Sequence, residues 1–311
     1  MRLENLETPC LVLDEARMQR NVSAMRERLQ RLGVRFRPHV KTCKSIDVAR
    51  RMMETPAGPI TVSTLKEAEY FLSHGVTEML YAVAIAPNKL DHVIDLRRRG
   101  AHLSIILDSA EAARAVVEKS RAAHERIPVL IEIDSDGHRS GVPPADDALV
   151  AIARVLDQGG VDMAGIMTHA GSSYGCRTTG EIVAMAEQER SAVVRSAQRL
   201  REAGLACRIV SVGSTPTATF ARDLTGVTEV RVGVFVFFDL FMAGLGVCRI
   251  QDVALSVLTS VIGHQREKGW AIVDAGWMAL SRDRGTAGQA VDQGYGIVCD
   301  AQGQPIDDLI V

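Results

Sequence analysis

Cysteine is sparse and scattered: six residues in 311 (10, 43, 176, 207, 248 and 299), with no C-x-x-C pair and no His-x-Cys. That spacing excludes a disulfide framework and the usual cysteine-based zinc sites, and predicts reduced thiols in a cytoplasmic protein. Aromatics make up 4% of the chain and the formal net charge is -2. A basic patch with interleaved aromatics is missing, so no nucleic-acid partner is expected. Near-neutral charge gives no reason to expect an anionic membrane surface either. No run approaches the roughly 18 uninterrupted apolar residues of a membrane span. The first residues, Met1–Glu7, lack the apolar centre of a signal peptide. Internal repeats and low-complexity tracts are also absent.

What is present is an alternation of short β-branched runs with longer helical patterns. Candidate strands are Val34–Lys41, Ile60–Thr64, Glu78–Ala84, His102–Asp108, Pro128–Asp134, Asp162–His169, Arg208–Gly213 and Glu229–Val234. Leu65–His74, Ser109–His124 and Glu181–Ala203 place apolar residues every three or four positions, as amphipathic helices do. Pro87 suits the start of another helix. The triplet Arg97–Arg99 is read as a solvated helix end. Eight strands with intervening helices predict an α/β chain built on a closed (β/α)8 TIM barrel over residues 15–245. Leu11–Leu13 is an extra strand outside it. Beyond residue 245, Val253–Gly263 and Trp270–Leu280 are β-rich with no helix between them. Residues 1–14 and 246–311 are therefore assigned to a β domain. It ends on a strand-like apolar run, which predicts that this domain is incomplete at its C-terminal side.

A parallel barrel presents its chemistry at the C-terminal ends of its strands. Lys41 closes the first, within the run Arg37–Lys44. A lysine held partly desolvated near other cations loses its proton readily and can form a Schiff base, although a solvated surface lysine would look the same. Asp134 closes the fifth strand and is followed by Arg139, while Asp134 and Asp136 also suit a turn around Gly137. His169 closes the sixth and Tyr174 follows. After the seventh, Gly213, Ser214 and Thr215 lead into a short helix, a composition that fits a phosphate cradle or an ordinary turn. Arg231, Gly233 and Val234 end the eighth. An amine, cations, a histidine and a phosphate cradle on one barrel face match what pyridoxal phosphate requires.

Several motifs are similar to the fold type III pyridoxal-phosphate enzymes, whose barrel is shared with alanine racemase, and within them to the D-serine dehydratase and D-threonine aldolase group. They are Thr8–Asp14, Arg37–Thr42, Val62–Glu69, Glu132–Val142, Thr168–Tyr174, Ser211–Thr217, Glu229–Asp239 and Asp274–Asp283. The resemblance spans essentially the whole chain. It implies that Lys41 carries the cofactor and acts as base at Cα. It further implies that Arg139 bonds the phenolic oxygen and that His169 and Tyr174 flank ring and substrate. Ser214, Thr215, Gly233 and Val234 would hold the phosphate, and Arg231 would stand against the pyridine nitrogen. Cys43 departs from many members of the group. The resemblance also implies a divalent metal, zinc or manganese, bound by a His-x-Cys or His-x-Asp motif near the C-terminus. No such pair follows Lys41, so the expected metal ligands lie beyond residue 311 and the chain is read as truncated.

The activity so implied is a pyridoxal-phosphate-dependent lyase that dehydrates a D-configured β-hydroxy amino acid, of the D-threo-3-hydroxyaspartate or D-serine type, to a 2-oxo acid and ammonia. Retro-aldol cleavage to glycine and an aldehyde is the alternative, since it uses nearly the same residues. Racemisation needs a second base that the sequence does not place. A non-catalytic pyridoxal-phosphate carrier is disfavoured by the β segment after residue 245. By analogy with the group, a homodimer is expected.

Overall fold

The computed structural model describes residues 2–311 and divides into two compact units, residues 22–236 and residues 2–21 with 237–311. The first unit is the barrel. Its strands are β2 (Arg35–Pro38), β3 (Ile60–Val62), β4 (Glu78–Ala84), β5 (His102–Leu107), β6 (Pro128–Ile133), β7 (Asp162–Thr168), β8 (Ile209–Val212) and β9 (Glu229–Val232). They form one parallel sheet in the order β2-β9-β8-β7-β6-β5-β4-β3. Closure between β2 and β3 rests on a single parallel bridge, His39 to Thr61, where the Val40 N–H donates to the Thr61 carbonyl at 2.9 Å. All eight expected strands are present, most of them one to three residues shorter than expected. β9 ends at Val232 because residues Val234–Val236 turn into a 3-10 helix.

Local chemistry sets the helix boundaries. α3 (Leu65–Ser73) starts where the Thr64 hydroxyl accepts the Glu67 N–H. α5 (Ala110–Ala123) starts likewise at Ser109 and stops where His124 turns left-handed at φ 54°. α7 (Thr179–Glu202) opens on a reciprocal capping box between Thr178 and Glu181. Such caps satisfy the amides that a helix start leaves without partners. Pro87 begins a 3-10 turn that runs into α4 (Leu90–Arg98). The arginines at its end are more than solvated charges: Arg97 donates to the carbonyls of Leu103 and Arg126, and Arg98 to that of Ala123.

Two chemistries fill the barrel. Leu80, Ile106, Leu130, Ala164 and Met167 pack as an apolar cluster on the β4–β7 side. The β2, β8 and β9 side instead carries a ladder of charges that reaches across to Glu78 at the start of β4. Arg35 pairs with both oxygens of Glu78 at 2.9 Å, and Arg37 reaches Glu78 at 3.0 Å and Glu229 at 2.9 Å. The Ser211 hydroxyl donates to Glu229 at 2.8 Å and accepts from Arg231 at 2.7 Å. The pleat explains the alignment: Arg35 lies beside Glu229 and Arg37 beside Arg231, so alternate residues of both strands share one face.

In the second unit β1 (Cys10–Leu13), which contains the extra strand expected outside the barrel at Leu11–Leu13, pairs antiparallel with β10 (Leu255–Leu258). β11 (Val261–Gln265) with β12 (Trp270–Val273), and β13 (Ile297–Cys299) with β14 (Pro305–Ile310), are hairpins. The β-rich segment expected over Trp270–Leu280 is strand only as far as Val273. At the next residue the Asp274 carboxylate accepts from the hydroxyls of Thr8 and Thr259 and from the Ser260 N–H, which ends the ladder in a side-chain knot. No helix among the described residues is long and apolar enough to cross a membrane.

Removing one partner of a buried ion pair strands the other charge. Arg37→Met leaves Glu229, 3% exposed, without its guanidinium and should cost about 3–5 kcal/mol. Urea unfolding of the variant measures this, and an unchanged midpoint would show that the ladder contributes nothing.

Candidate active site

The functional side chains stand at or just past the C-terminal ends of barrel strands, Arg231 being the next-to-last residue of β9. After β2 the chain turns tightly, with the Lys44 N–H on the Val40 carbonyl at 2.8 Å, and Lys41 sits inside that turn. After β6 the loop folds back on its own strand: the Asp134 N–H donates to Val142 and the Val142 N–H to Glu132. Gly141 permits that return, since at φ +126° a Cβ would stand 2.5 Å from the Asp134 nitrogen. Arg139 is carried on this loop. His169 and Tyr174 follow β7, with ring centroids 5.9 Å apart. Ser214 and Thr215 follow β8, where Ser214 caps α8 (Thr215–Phe220) through a reciprocal box with Thr217. Gly213 approaches β9 so closely that a Cβ would lie 2.0 Å from the Arg231 carbonyl oxygen.

Lys41, Arg139, His169, Tyr174, Ser214, Thr215, Arg231, Gly233 and Val234 all line one cavity. Among the further residues in its wall, His39 and Glu132 were quoted within sequence motifs but given no role there, and Met167 lay outside those motifs. His39 and Glu132 each precede a strand-end residue by two positions, so the two-residue pleat is the signal that could have found them. Asp134 does not join them. Its carboxylate accepts the Gly137 N–H at 2.9 Å, the turn-forming role, and Asp136 accepts the Ser172 N–H at 2.7 Å.

Charge in the cavity is predominantly positive. Arg231 is buried, with its guanidinium on the Ser211 hydroxyl and on the Thr168 carbonyl at 2.5 Å. Burial opposes its charge, and Glu229, Glu189 and Glu132 offset that cost. Lys41 is pushed below the ordinary lysine value by desolvation and then by Arg139 and Arg231, although its side chain keeps contact with solvent. His39 is pushed well below its ordinary value by burial, Lys41 and Arg231. His169 falls to about 4 for the same first reason, burial, with Arg139, Arg231 and Lys41 adding to it. Both imidazoles are therefore neutral at pH 7. The tautomer of His169 is also set: its Nδ1 lies 2.6 Å from the Gly213 carbonyl, which can only accept, so Nδ1 carries the proton and Nε2 is a free base. Burial raises Glu132, with Ser140 opposing. Cys43 lies two residues from Lys41, yet its thiol is raised by burial and donates to Val40 and Ser45 carbonyls, an unreactive arrangement.

Comparison with known proteins gives concordant matches. The family model "Alanine racemase, N-terminal domain" matches residues 13–240, and "Putative serine dehydratase domain" matches residues 254–310. The D-threo-3-hydroxyaspartate dehydratase of Delftia sp. is 56% identical over 311 residues, covering 99% of this chain and 82% of its own length. The D-serine dehydratase of Dictyostelium discoideum is 30% identical over 300 residues, 91% of this chain and 76% of its own. A solved mutant of a D-threo-3-hydroxyaspartate dehydratase, in a metal-free form, superposes with a TM-score of 0.97 at 55% identity, covering 100% of this chain and 82% of that one.

Because the His169 pKa is lower folded than unfolded, the unfolded chain binds more protons between about pH 6.5 and about pH 4. The His169 contribution therefore makes stability fall as pH is lowered through that window. His169→Asn should flatten the decline in cofactor-free protein, as read by urea unfolding at stepped pH. An identical slope in variant and parent would show that His169 titrates normally.

Proposed function

The chain belongs to the family of the alanine racemase N-terminal domain, and from that membership we infer that it is a pyridoxal-phosphate-dependent lyase acting on D-configured β-hydroxy amino acids. The observation that carries the reading is the meeting of Lys41 with Arg139 and Arg231 in one cavity, its amine held below the ordinary lysine value. The donor set suits the cofactor: an amine for the aldehyde, guanidinium groups for ring oxygen and nitrogen, and hydroxyls with glycine backbone for phosphate. Pyridoxal phosphate supplies an electron sink for the charge left at Cα of a bound amino acid.

The chain's own residues do the rest. The neutral fraction of the Lys41 amine, enlarged by its lowered pKa, takes the Cα proton. Arg139 would hold the phenolic oxygen, Arg231 would donate to the pyridine nitrogen, and Ser214, Thr215, Gly233 and Val234 would hold the phosphate. His169 and Tyr174 would flank the substrate. The β-hydroxyl then leaves as water, and hydrolysis of the released enamine gives a 2-oxo acid and ammonia. D-threo-3-hydroxyaspartate is the substrate this reading favours, supported by the similarity to the Delftia dehydratase. Retro-aldol cleavage is the second reading, and the free Nε2 of His169 favours it, as a base for the β-hydroxyl proton.

Among the described residues no group of three or more His, Cys, Asp or Glu side chains is disposed to hold a metal. The described residues therefore do not fit a metal site. Zinc or manganese is proposed as an added component, supported by the related dehydratase mutant having been solved in a metal-free form. A homodimer and a cytoplasmic location complete the proposal, by analogy with the group and from the scattered thiols.

The test is incubation with pyridoxal phosphate, zinc or manganese, and either D-threo-3-hydroxyaspartate or D-threonine. Ammonia with a 2-oxo acid supports dehydration, and glycine with an aldehyde replaces it by cleavage. Lys41→Ala should lower turnover by at least about a thousandfold, the scale of lost acid–base catalysis, and should abolish covalent fixing of the cofactor by borohydride. Normal activity in that variant would sink the assignment.

A further inference from the structure

Glu189 stands on α7, outside every motif that marks the cavity, and its side chain is 2% exposed. A carboxylate at that depth requires hydrogen bonds to offset its lost hydration. Its Oε1 accepts the backbone N–H of Ala170 at 3.0 Å and that of Gly213 at 3.1 Å. The Thr217 hydroxyl is a third partner. The two amides belong to different loops, one after β7 and one after β8, so a single oxygen ties together the two loops that carry His169 and Ser214. A side-chain bond between the loops, Ser173 to Ser214 at 2.9 Å, runs in parallel.

Gly213 relays the constraint. Its N–H is taken by Glu189 while its carbonyl accepts the His169 Nδ1 proton at 2.6 Å. The residue has little room to move otherwise, being packed on the Arg231 backbone at φ +146°. Burial raises the Glu189 carboxyl, and the three donors act against that rise. The Arg231 charge acts in the same direction as those donors, and the hydrogen-bond partners of the carboxyl are the loops themselves.

We propose that Glu189 is a positioning residue for the cavity: through Gly213 it holds His169 as the Nδ1–H tautomer and keeps the Ser214–Thr215 wall in register with it. The consequence for cofactor affinity rests on the reading of this cavity as the pyridoxal-phosphate seat. The consequence for His169 does not.

Two readouts separate the two. Nitrogen-15 NMR of cofactor-free protein reports the His169 tautomer, and titration with pyridoxal phosphate reports affinity without turnover. Glu189→Gln keeps an acceptor oxygen for both amides and should retain the Nδ1–H signature, with affinity within about twofold. Glu189→Ala removes the acceptor, and Glu189→Asp withdraws it by one methylene. Both should lose that signature and weaken pyridoxal phosphate at least tenfold. Should Glu189→Ala fail to fold, Glu189→Asp, which keeps the charge, carries the test. A folded Glu189→Asp or Glu189→Ala protein with an unchanged tautomer would overturn the proposal, as would loss of the signature in Glu189→Gln. If the tautomer changes as expected while the parent protein binds no pyridoxal phosphate, the positioning role stands and the cofactor reading fails.

Discussion

The cavity depends on one buried cation. Arg231 cannot shed its proton under ordinary conditions, so its charge is a permanent feature of the barrel's active end. It is held by the Ser211 hydroxyl and the Thr168 carbonyl, and through Ser211 it joins the ladder of Glu229, Arg37 and Glu78 below. Its field appears in every perturbed group above it: it lowers Lys41, His39 and His169 together. A barrel filled only by branched aliphatics, as is common, would have no means of offsetting that charge. The polar half of the interior thus serves the site, while the apolar cluster from Leu80 to Met167 supplies the burial that stabilises the barrel.

Much of this was legible in the sequence, because a parallel strand followed by a helix leaves a strong local pattern. Runs such as Asp162–Thr168 and Glu229–Val232 are short, β-branched and followed by turns, and the residues at their ends converge by topology alone. Lys41, Arg139, His169 and Arg231 could therefore be set on one face before any distance was known. Glu189 could not. On the sequence it is one glutamate in a long charged helix, and its burial follows only once α7 lies against β7 and β8. The Arg37–Glu229 pair was hidden for a related reason: the partners are 192 residues apart, and only parallel register brings them together. Helix ends were read to within about two residues from apolar periodicity, and the caps at Thr64 and Ser109 explain physically where those helices start. The segment after Val273 was misread because the hydrogen bonds of Asp274, not β propensity, decide its path.

The distribution of protons in the cavity bears on which bond breaks. With His39 and His169 both neutral, neither imidazole is an imidazolium acid at pH 7. The Nδ1 proton of His169 is engaged by Gly213, so that ring offers a lone pair and no proton. The groups in the wall able to give up a proton include Tyr174, and Lys41 once it has taken one up. Dehydration needs a proton at the departing oxygen, and retro-aldol cleavage needs one removed from it. A Lys41 amine that has just accepted the Cα proton is a cation beside the substrate, which assists departure of hydroxide, whereas cleavage breaks Cα–Cβ with the Cα proton still in place and generates no such cation. The cation-rich wall opposes protonation of Lys41 and of His169 alike, so the choice of bond turns on which proton is removed first, that on Cα by Lys41 or that on the β-hydroxyl by His169 Nε2.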